Sequence, residues 1–281
     1  MIKVYTRHDC NQLLTKIRNQ GKKVGFVPTM GALHQGHLSL IDASKQQTDY
    51  TIASIFVNPK QFNDKHDYEK YPRVINDDLQ KLENTGCDGV FIPSYDEIYR
   101  DEELTNYDLG NLELTMEGAY RPGHFQGVAM VVDRLFNIIQ PSYAFFGEKD
   151  FQQLQVIKHI VNTLNHDVNI VACPIIREND GLAMSSRNRR LSKEQRKVAP
   201  EIYSALIKAE QNAGKLTIPE LKNLVVNQVN QNPMLHVEYF EIVNEDNMQI
   251  MQQWNQGKNI RGCIAVLTGN IRLIDNIKIS S

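Results

Sequence analysis

Between Lys22 and Ile176 the chain alternates short β-branched runs with longer amphipathic stretches, and this alternation limits the fold more than any other feature. "KKVGFVPT" reads as a strand that turns at Pro28, and "HLSLIDASKQQ" after it spaces its apolar residues for a helix. "YTIASIFVN" suits a strand buried on both faces, "INDDLQKLENTG" a helix stopped at Gly86, and "GVFIP" a short strand. The pattern resumes with "GVAMVVDRLFNIIQP" as helix, "AFFG" as strand, "KDFQQLQVIKHIVNTLN" as helix and "VNIVACPII" as strand. Parallel neighbours need a crossover between them, so this order predicts βαβ units and an α/β, Rossmann-like parallel sheet.

At Arg177 the texture changes. "RENDGLAMSSRNRRLS" is polar and basic and reads as a loop between two domains. "KEQRKVAPEIYSALIKAEQN" and "PELKNLVVNQVNQ" read as amphipathic helices, and "HVEYFEIV" and "CIAVLTGNIRLIDNIKI" as strands, with "TGN" as a hairpin turn. The expected organisation is a catalytic domain over residues 1–176 and a smaller α+β C-terminal lid domain over 177–281, beginning with the basic MSSRN loop.

Charge excludes one large class of function. Lys plus Arg total 31 against 33 for Asp plus Glu, so no broad positive field gathers nucleic acid, although a local phosphate site is compatible with that balance. The longest apolar runs fall short of the roughly 20 residues of a membrane span. "MIKVYTRHDCNQLL" lacks the apolar core of a secretory signal, and a soluble cytoplasmic protein is expected. Cys10, Cys87, Cys173 and Cys263 stand singly, which predicts buried free thiols rather than a metal or disulfide framework.

The first strand hands over to a helix through "PTMGALHQGHLSLI", with His34 and His37 three residues apart. Two imidazoles on one helical face can share a metal, but no HExxH and no nearby Cys or carboxylate cluster supplies a third ligand. They can also simply cap or pack the turn. A third reading is a phosphate site: Gly31 and Gly36 allow close backbone approach, and a helix start after a parallel strand offers N–H groups and the positive end of the helix dipole. The imidazoles would then donate to a polyphosphate as its charge shifts.

"HQGH" resembles the HxGH signature of the nucleotidyltransferase superfamily that includes class I aminoacyl-tRNA synthetases, and "AMSSRN" resembles its second signature, a basic, serine-containing loop. Five ordered blocks narrow this further. "PTMGALHQGHLSLI", "FVNPKQF", "RPGHFQGVAMVV", "FFGEKDFQQL" and "DGLAMSSRN" together resemble the pantothenate synthetase (pantoate-β-alanine ligase) family.

The resemblance implies a two-step reaction. ATP and (R)-pantoate form pantoyl adenylate and pyrophosphate, and the amine of β-alanine then displaces AMP to give pantothenate, on the route to coenzyme A. By motif position ATP meets Met30, Gly31, Ala32 and Leu33 ahead of His34, Gln35, Gly36 and His37. It also meets Gly147, Glu148, Lys149 and Asp150 in "GEKD", main-chain groups at Ile176, and Met184, Ser185, Ser186 and Arg187. His34, His37, Lys149 and Arg187 form the implied catalytic set, with His37 as proton donor and Mg²⁺ accompanying ATP. Gln61 and Gln153 are assigned to pantoate, Gln61 also to β-alanine, with Met30 and Phe62 as an apolar wall. Glutamine suits the task, since it orients a carboxylate without neutralising the nucleophile.

"RPGH" is also ordinary turn chemistry, so Arg121 to His124 stand outside the catalytic set. Asp77 and Asp78 occupy a region where some family members hold a metal. Lys81 one turn on opposes a cation, so the pair reads as helix N-terminal charge and no protein-held metal is expected. A homodimer is expected from the resemblance alone. Competing readings are a nucleotidylyltransferase acting on a phosphorylated acceptor, a tRNA-binding synthetase relative, and a non-catalytic nucleotide binder.

Overall fold

The chain enters through β1 (Ile2–Val4) and α1 (Arg7–Arg18), then runs β2 (Val24–Thr29), α2 (Gln35–Gln47), β3 (Tyr50–Ile55), α3 (Lys65–Lys70) and α4 (Ile75–Asn84). It continues through β4 (Gly89–Phe91), α5 (Tyr95–Tyr99), α6 (Met116–Tyr120), α7 (His124–Ile139), β5 (Tyr143–Gly147), α8 (Phe151–Thr163) and β6 (Asn169–Cys173). These six strands form one sheet in the order β1-β4-β3-β2-β5-β6, and every pair in it is parallel. The computed structural model describes residues 1–100 and 105–279. It comprises two units by contact: Met1–Glu148 with Gln152–Pro174, and Lys149–Phe151 with Ile175–Ser281.

Strand order locates the ligand end of the first unit. From β2 the chain steps outward to β3 and β4, then returns to the other side of β2 as β5. Ligands of open α/β sheets bind beyond the strand carboxyl ends at such a reversal. Here those ends are Thr29 and Gly147, which release the HxGH and GEKD segments. β2 continues through Pro28, where the sequence suggested a turn. Its ladder to β5 involves only Gly25 and Phe26, so Pro28 lies beyond those pairs and its missing N–H leaves that ladder intact.

Local chemistry explains the element ends. Thr6 caps α1 by accepting from the Asp9 N–H, and Gly86 at φ 70° follows α4. α7 is apolar on most sides and correspondingly buried, and Arg18 donates to the carbonyls of Ile139 and Gln140 at its end. Val27, Leu33, Ile41, Ala53, Leu82, Val90 and Phe145 share one core cluster. The four cysteines are free and buried.

The second unit carries α9 (Lys193–Val198), α10 (Glu201–Asn212), α11 (Ile218–Asn230) and an antiparallel sheet of β7 (His236–Asn244), β8 (Ile260–Thr268) and β9 (Ile271–Ile279). The stretch read as one helix over 193–212 is two, because Pro200 has no N–H to give the preceding turn. Capping boxes at Ser192/Gln195 and Thr217/Glu220 start α9 and α11. Gly269 at φ 57° makes the expected hairpin turn between β8 and β9. Among the described residues no helix is long and apolar enough to cross a membrane.

Candidate active site

β2 ends at Thr29, whose hydroxyl donates to the Ser54 carbonyl and accepts from the Gly31 N–H. The chain then turns through two left-handed residues, Gly31 at φ 79° and Ala32 at φ 51°. A Cβ on Gly31 would sit 2.9 Å from Asp78 Oδ2, which is why this position is glycine. The Ala32 and Leu33 N–H groups donate to the two oxygens of Asp78 at 2.8 and 2.7 Å, and Lys81 Nζ donates to the Leu33 carbonyl at 2.9 Å. The amides of residues 31–33 therefore turn inward. Thr29 and Asp78 occupy these three amides, so the N–H groups expected to meet an anion are those of the helix start that follows.

What the loop turns outward is the start of α2. His34 is its N-cap, in extended conformation, and the His34 and His37 rings lie 4.0 Å apart by centroid. His37 Nδ1 accepts the His34 N–H at 3.4 Å, a long bond that leaves the proton of a neutral ring on Nε2. Gln35 is exposed, and Gly36 and His37 are half-buried.

Asp77 and Asp78 stand in the first turn of α4 as read, but Asp78 is buried and acts as the anchor of the HxGH loop. Asp77 pairs with Lys81 at 2.6 Å. An Asp78→Asn variant keeps the shape yet turns an amide NH₂ against one of the two N–H donors. It should cost about 1–3 kcal/mol, read as a lower urea midpoint at unchanged slope. Burial pushes the Asp78 carboxyl above its ordinary range, while the Leu33 and Ala32 N–H bonds and Lys81 draw it down. A raised folded value means that this group's stabilisation is fully present below the unfolded pKa and is lost as pH rises through the folded one. The stability gap between wild type and Asp78→Asn should therefore narrow from acid to neutral pH. A gap that widens would show that the N–H bonds outweigh burial.

Gln61 ends a short 3-10 turn, Pro59–Gln61, capped by the Asn58 side chain. It is buried, and its Nε2 donates to Met30 Sδ at 2.9 Å, which ties the pantoate candidate to the HxGH loop. Asn58 lies behind it, donating to Gln61 Oε1 and the Gly127 carbonyl while accepting from the Tyr99 hydroxyl at 2.7 Å. Phe62 packs against Tyr68 and Tyr71, at 5.4 and 5.7 Å.

Residues left outside the candidate set hold this arrangement. Arg121 Nη1 lies 3.1 Å from His124 Nε2, and a guanidinium can only donate, so the imidazole proton sits on Nδ1. Nδ1 is 2.7 Å from the Gln61 carbonyl and donates to it. "RPGH" thus positions Gln61 through its main chain. Sequence reasoning missed Asn58 and read Asp78 and His124 without these roles; all three lie in quoted segments, but the partners that reveal the roles, Ala32 and Leu33, the Gln61 carbonyl, and Gly127 with Tyr99, are distant in sequence.

Of the two glutamines in "FQQ", Gln152 is scaffold, bonded to the Glu117 N–H and to the Leu112 and Thr115 carbonyls. Gln153 is half-buried in α8. The GEKD residues divide: Gly147 and Glu148 belong to the first unit, Lys149 and Asp150 to the second. Lys149 Nζ is 3.8 Å from Asp150.

In the second unit the segment read as a loop is a built structure. Arg177 and Ala183 form an antiparallel bridge, the Met184 N–H donates to the Ile176 carbonyl at 3.0 Å, and Gly181 turns at φ 92°. Ser185 caps a 3-10 turn over Ser186–Arg190 by accepting the Arg187 N–H, and Asn188 ties the turn to Glu178 and the Ala183 carbonyl. The Ile176 carbonyl, one of the main-chain groups expected to meet ATP, thus already accepts one bond, with a second lone pair remaining. Among the described residues no group of three or more His, Cys, Asp or Glu could hold a metal.

Comparison with known proteins adds a family. A family model described as pantoate-beta-alanine ligase matches residues 3–278. The pantothenate synthetase of Bacteroides thetaiotaomicron is 46% identical over 275 residues, 98% of each chain, and that of Porphyromonas gingivalis 49% over 261, 93% of each. The crystal structure of pantothenate synthetase from Thermus thermophilus superposes with a TM-score of 0.93 at 40% identity, covering 100% of both chains. The pantoate-beta-alanine ligase of Francisella tularensis, complexed with beta-gamma ATP and beta-alanine, gives 0.82 at 34%, covering 99% of this chain and 97% of that one.

Proposed function

We propose a course of reaction from one premise: this chain belongs to the pantoate-β-alanine ligase family. It condenses (R)-pantoate with β-alanine, consuming ATP and releasing AMP and pyrophosphate. A pantoate carboxylate oxygen attacks the α-phosphorus, the bond from that phosphorus to the bridging oxygen breaks, and pyrophosphate leaves. The β-alanine nitrogen then attacks the acyl carbon of pantoyl adenylate, the bond to AMP breaks, and the amine gives up its proton as the amide forms.

The first step gathers negative charge on the departing pyrophosphate, so cations and N–H donors are needed there. His34 and His37 supply imidazole donors, Lys149 and Arg187 the cations, and His37 Nε2 holds the proton that meets the leaving oxygen. Met30 through Leu33, Gln35, Gly36, Gly147, Glu148, Ile176 and Met184 through Ser186 complete the assigned ATP contacts. Gln61 and Gln153 orient the pantoate carboxylate and hydroxyls. Mg²⁺ would accompany ATP and, when bound to the hard phosphate oxygens, would neutralise part of their charge, with Asp150 near the ribose or the metal. The same family reading makes the protein a cytoplasmic homodimer, with residues 1–176 as the catalytic domain and 177–281 as its lid.

The observation that carries this reading is the Gln61–Met30 bond. It ties a neutral amide, suited to an organic acid, to the loop that bears two imidazoles suited to phosphate. The deciding experiment is exchange of labelled pyrophosphate into ATP with Mg²⁺ present. Exchange should require pantoate and no amine; a folded, ATP-binding protein that gives none would remove the ligase reading.

A further inference from the structure

β9 carries two adjacent buried polar residues, Asp275 and Asn276. Asp275 receives both arms of Arg177, Nη1 at 2.6 Å and Nη2 at 3.0 Å, and that guanidinium lies 3.6 Å over the Tyr203 ring. Burial pushes the Asp275 carboxyl up, and Arg177 and the Lys149 ammonium draw it down. Asn276 spans two other groups: its Oδ1 accepts from Arg261 Nη1 at 2.6 Å, and its Nδ2 donates to the Lys149 carbonyl at 2.9 Å. Arg261 is itself buried, bonded to Glu245 at 2.7 Å and stacked 4.0 Å over Phe151.

Buried charge of this kind is costly unless fully satisfied, and apolar residues would cover a sheet at less cost. The network therefore calls for a purpose other than cohesion. Its reach supplies one: Arg177 stands at the root of the segment leading to Met184–Arg187, and Lys149 is held by its own main chain.

We propose that Asn276 is a positioning residue for Lys149, and that with Asp275 it sets Lys149 and the Met184–Arg187 segment in one frame. The proposal rests on the reading that Lys149 acts on the phosphates of ATP. Fixing the carbonyl fixes where the side chain starts, and a cation aimed at a developing charge loses its effect when displaced by a fraction of its reach.

The test is Asn276→Asp in the full-length protein. The carboxylate keeps an acceptor for Arg261 but meets the Lys149 carbonyl with no donor. In pantoate-dependent pyrophosphate exchange kcat should fall about ten- to a hundredfold, with the pantoate KM unchanged. A lower melting temperature with unchanged kcat would mean a purely cohesive role and overturn the proposal. Lys149→Ala runs beside it: if that variant keeps exchange, the phosphate reading fails and the positioning role with it. If Lys149→Ala loses exchange while Asn276→Asp keeps it, the positioning role alone falls. Should circular dichroism show Asn276→Asp unfolded, Arg261→Lys releases Asn276 Oδ1 while retaining a cation beside Glu245. Its kcat should drop several-fold, and an unchanged kcat would overturn the proposal.

Discussion

His37→Ala should lower the rate of pantoate-dependent pyrophosphate exchange by about 10²–10⁴-fold, the usual contribution of a positioned proton donor. Nδ1 is engaged by the His34 N–H, so in the neutral imidazole Nε2 carries the donor proton. Charge on the leaving pyrophosphate makes that proton worth more in the transition state than in the ground state. Alanine also removes the Nδ1 acceptor at the start of α2, so a second variant separates the two roles. His37→Asn keeps an acceptor close to the Nδ1 position and loses the distal donor. It should melt with the wild type and show the same rate loss; recovery of exchange in that variant would make His37 a cap rather than a proton donor.

Gly127→Ala should damage the pantoate side of the reaction more than its small size suggests. The added Cβ would lie 2.2 Å from the Lys60 carbonyl oxygen, 2.4 Å from its carbon and 2.6 Å from the Gln61 nitrogen. All three are backbone atoms, so no side chain can swing aside. α7 is buried along most of its length, and the cheaper movement is that of the 59–61 turn, which carries Gln61. Overpacking of this kind costs about 1–3 kcal/mol. Displacing Gln61 should raise the pantoate KM and lower kcat/KM for pantoate by about ten- to a hundredfold. Steady-state kinetics with pantoate varied at saturating ATP would show it, and an unchanged pantoate KM would refute this account of the glycine.

The parallel sheet is legible because its central strands β2 and β3 are almost wholly buried and its helices amphipathic, so the alternation of periods survives in the sequence. β1 and α1 give no such signal: three edge residues make a weak strand, and α1 buries only Cys10 and Leu14. The break at Pro200 is hidden because apolar spacing continues across it. In the site, the HxGH and GEKD segments can be read because each is contiguous. The orientation of the loop amides cannot, since Asp78 lies 46 residues from Ala32. His124 is legible as a residue and not as a role, because its tautomer depends on Arg121 and its partner is a main-chain carbonyl 63 residues away.

The Asp78 anchor bears on the order in which the protein assembles. Synthesis makes the HxGH segment first and α4 later, so the two imidazoles exist before anything fixes the loop that bears them. Until α4 is made, the left-handed turn at Gly31 and Ala32 lacks the Asp78 bonds that offset its entropy cost. An N-terminal fragment ending short of α4 should therefore carry the HxGH motif without the Asp78 bonds that fix its loop.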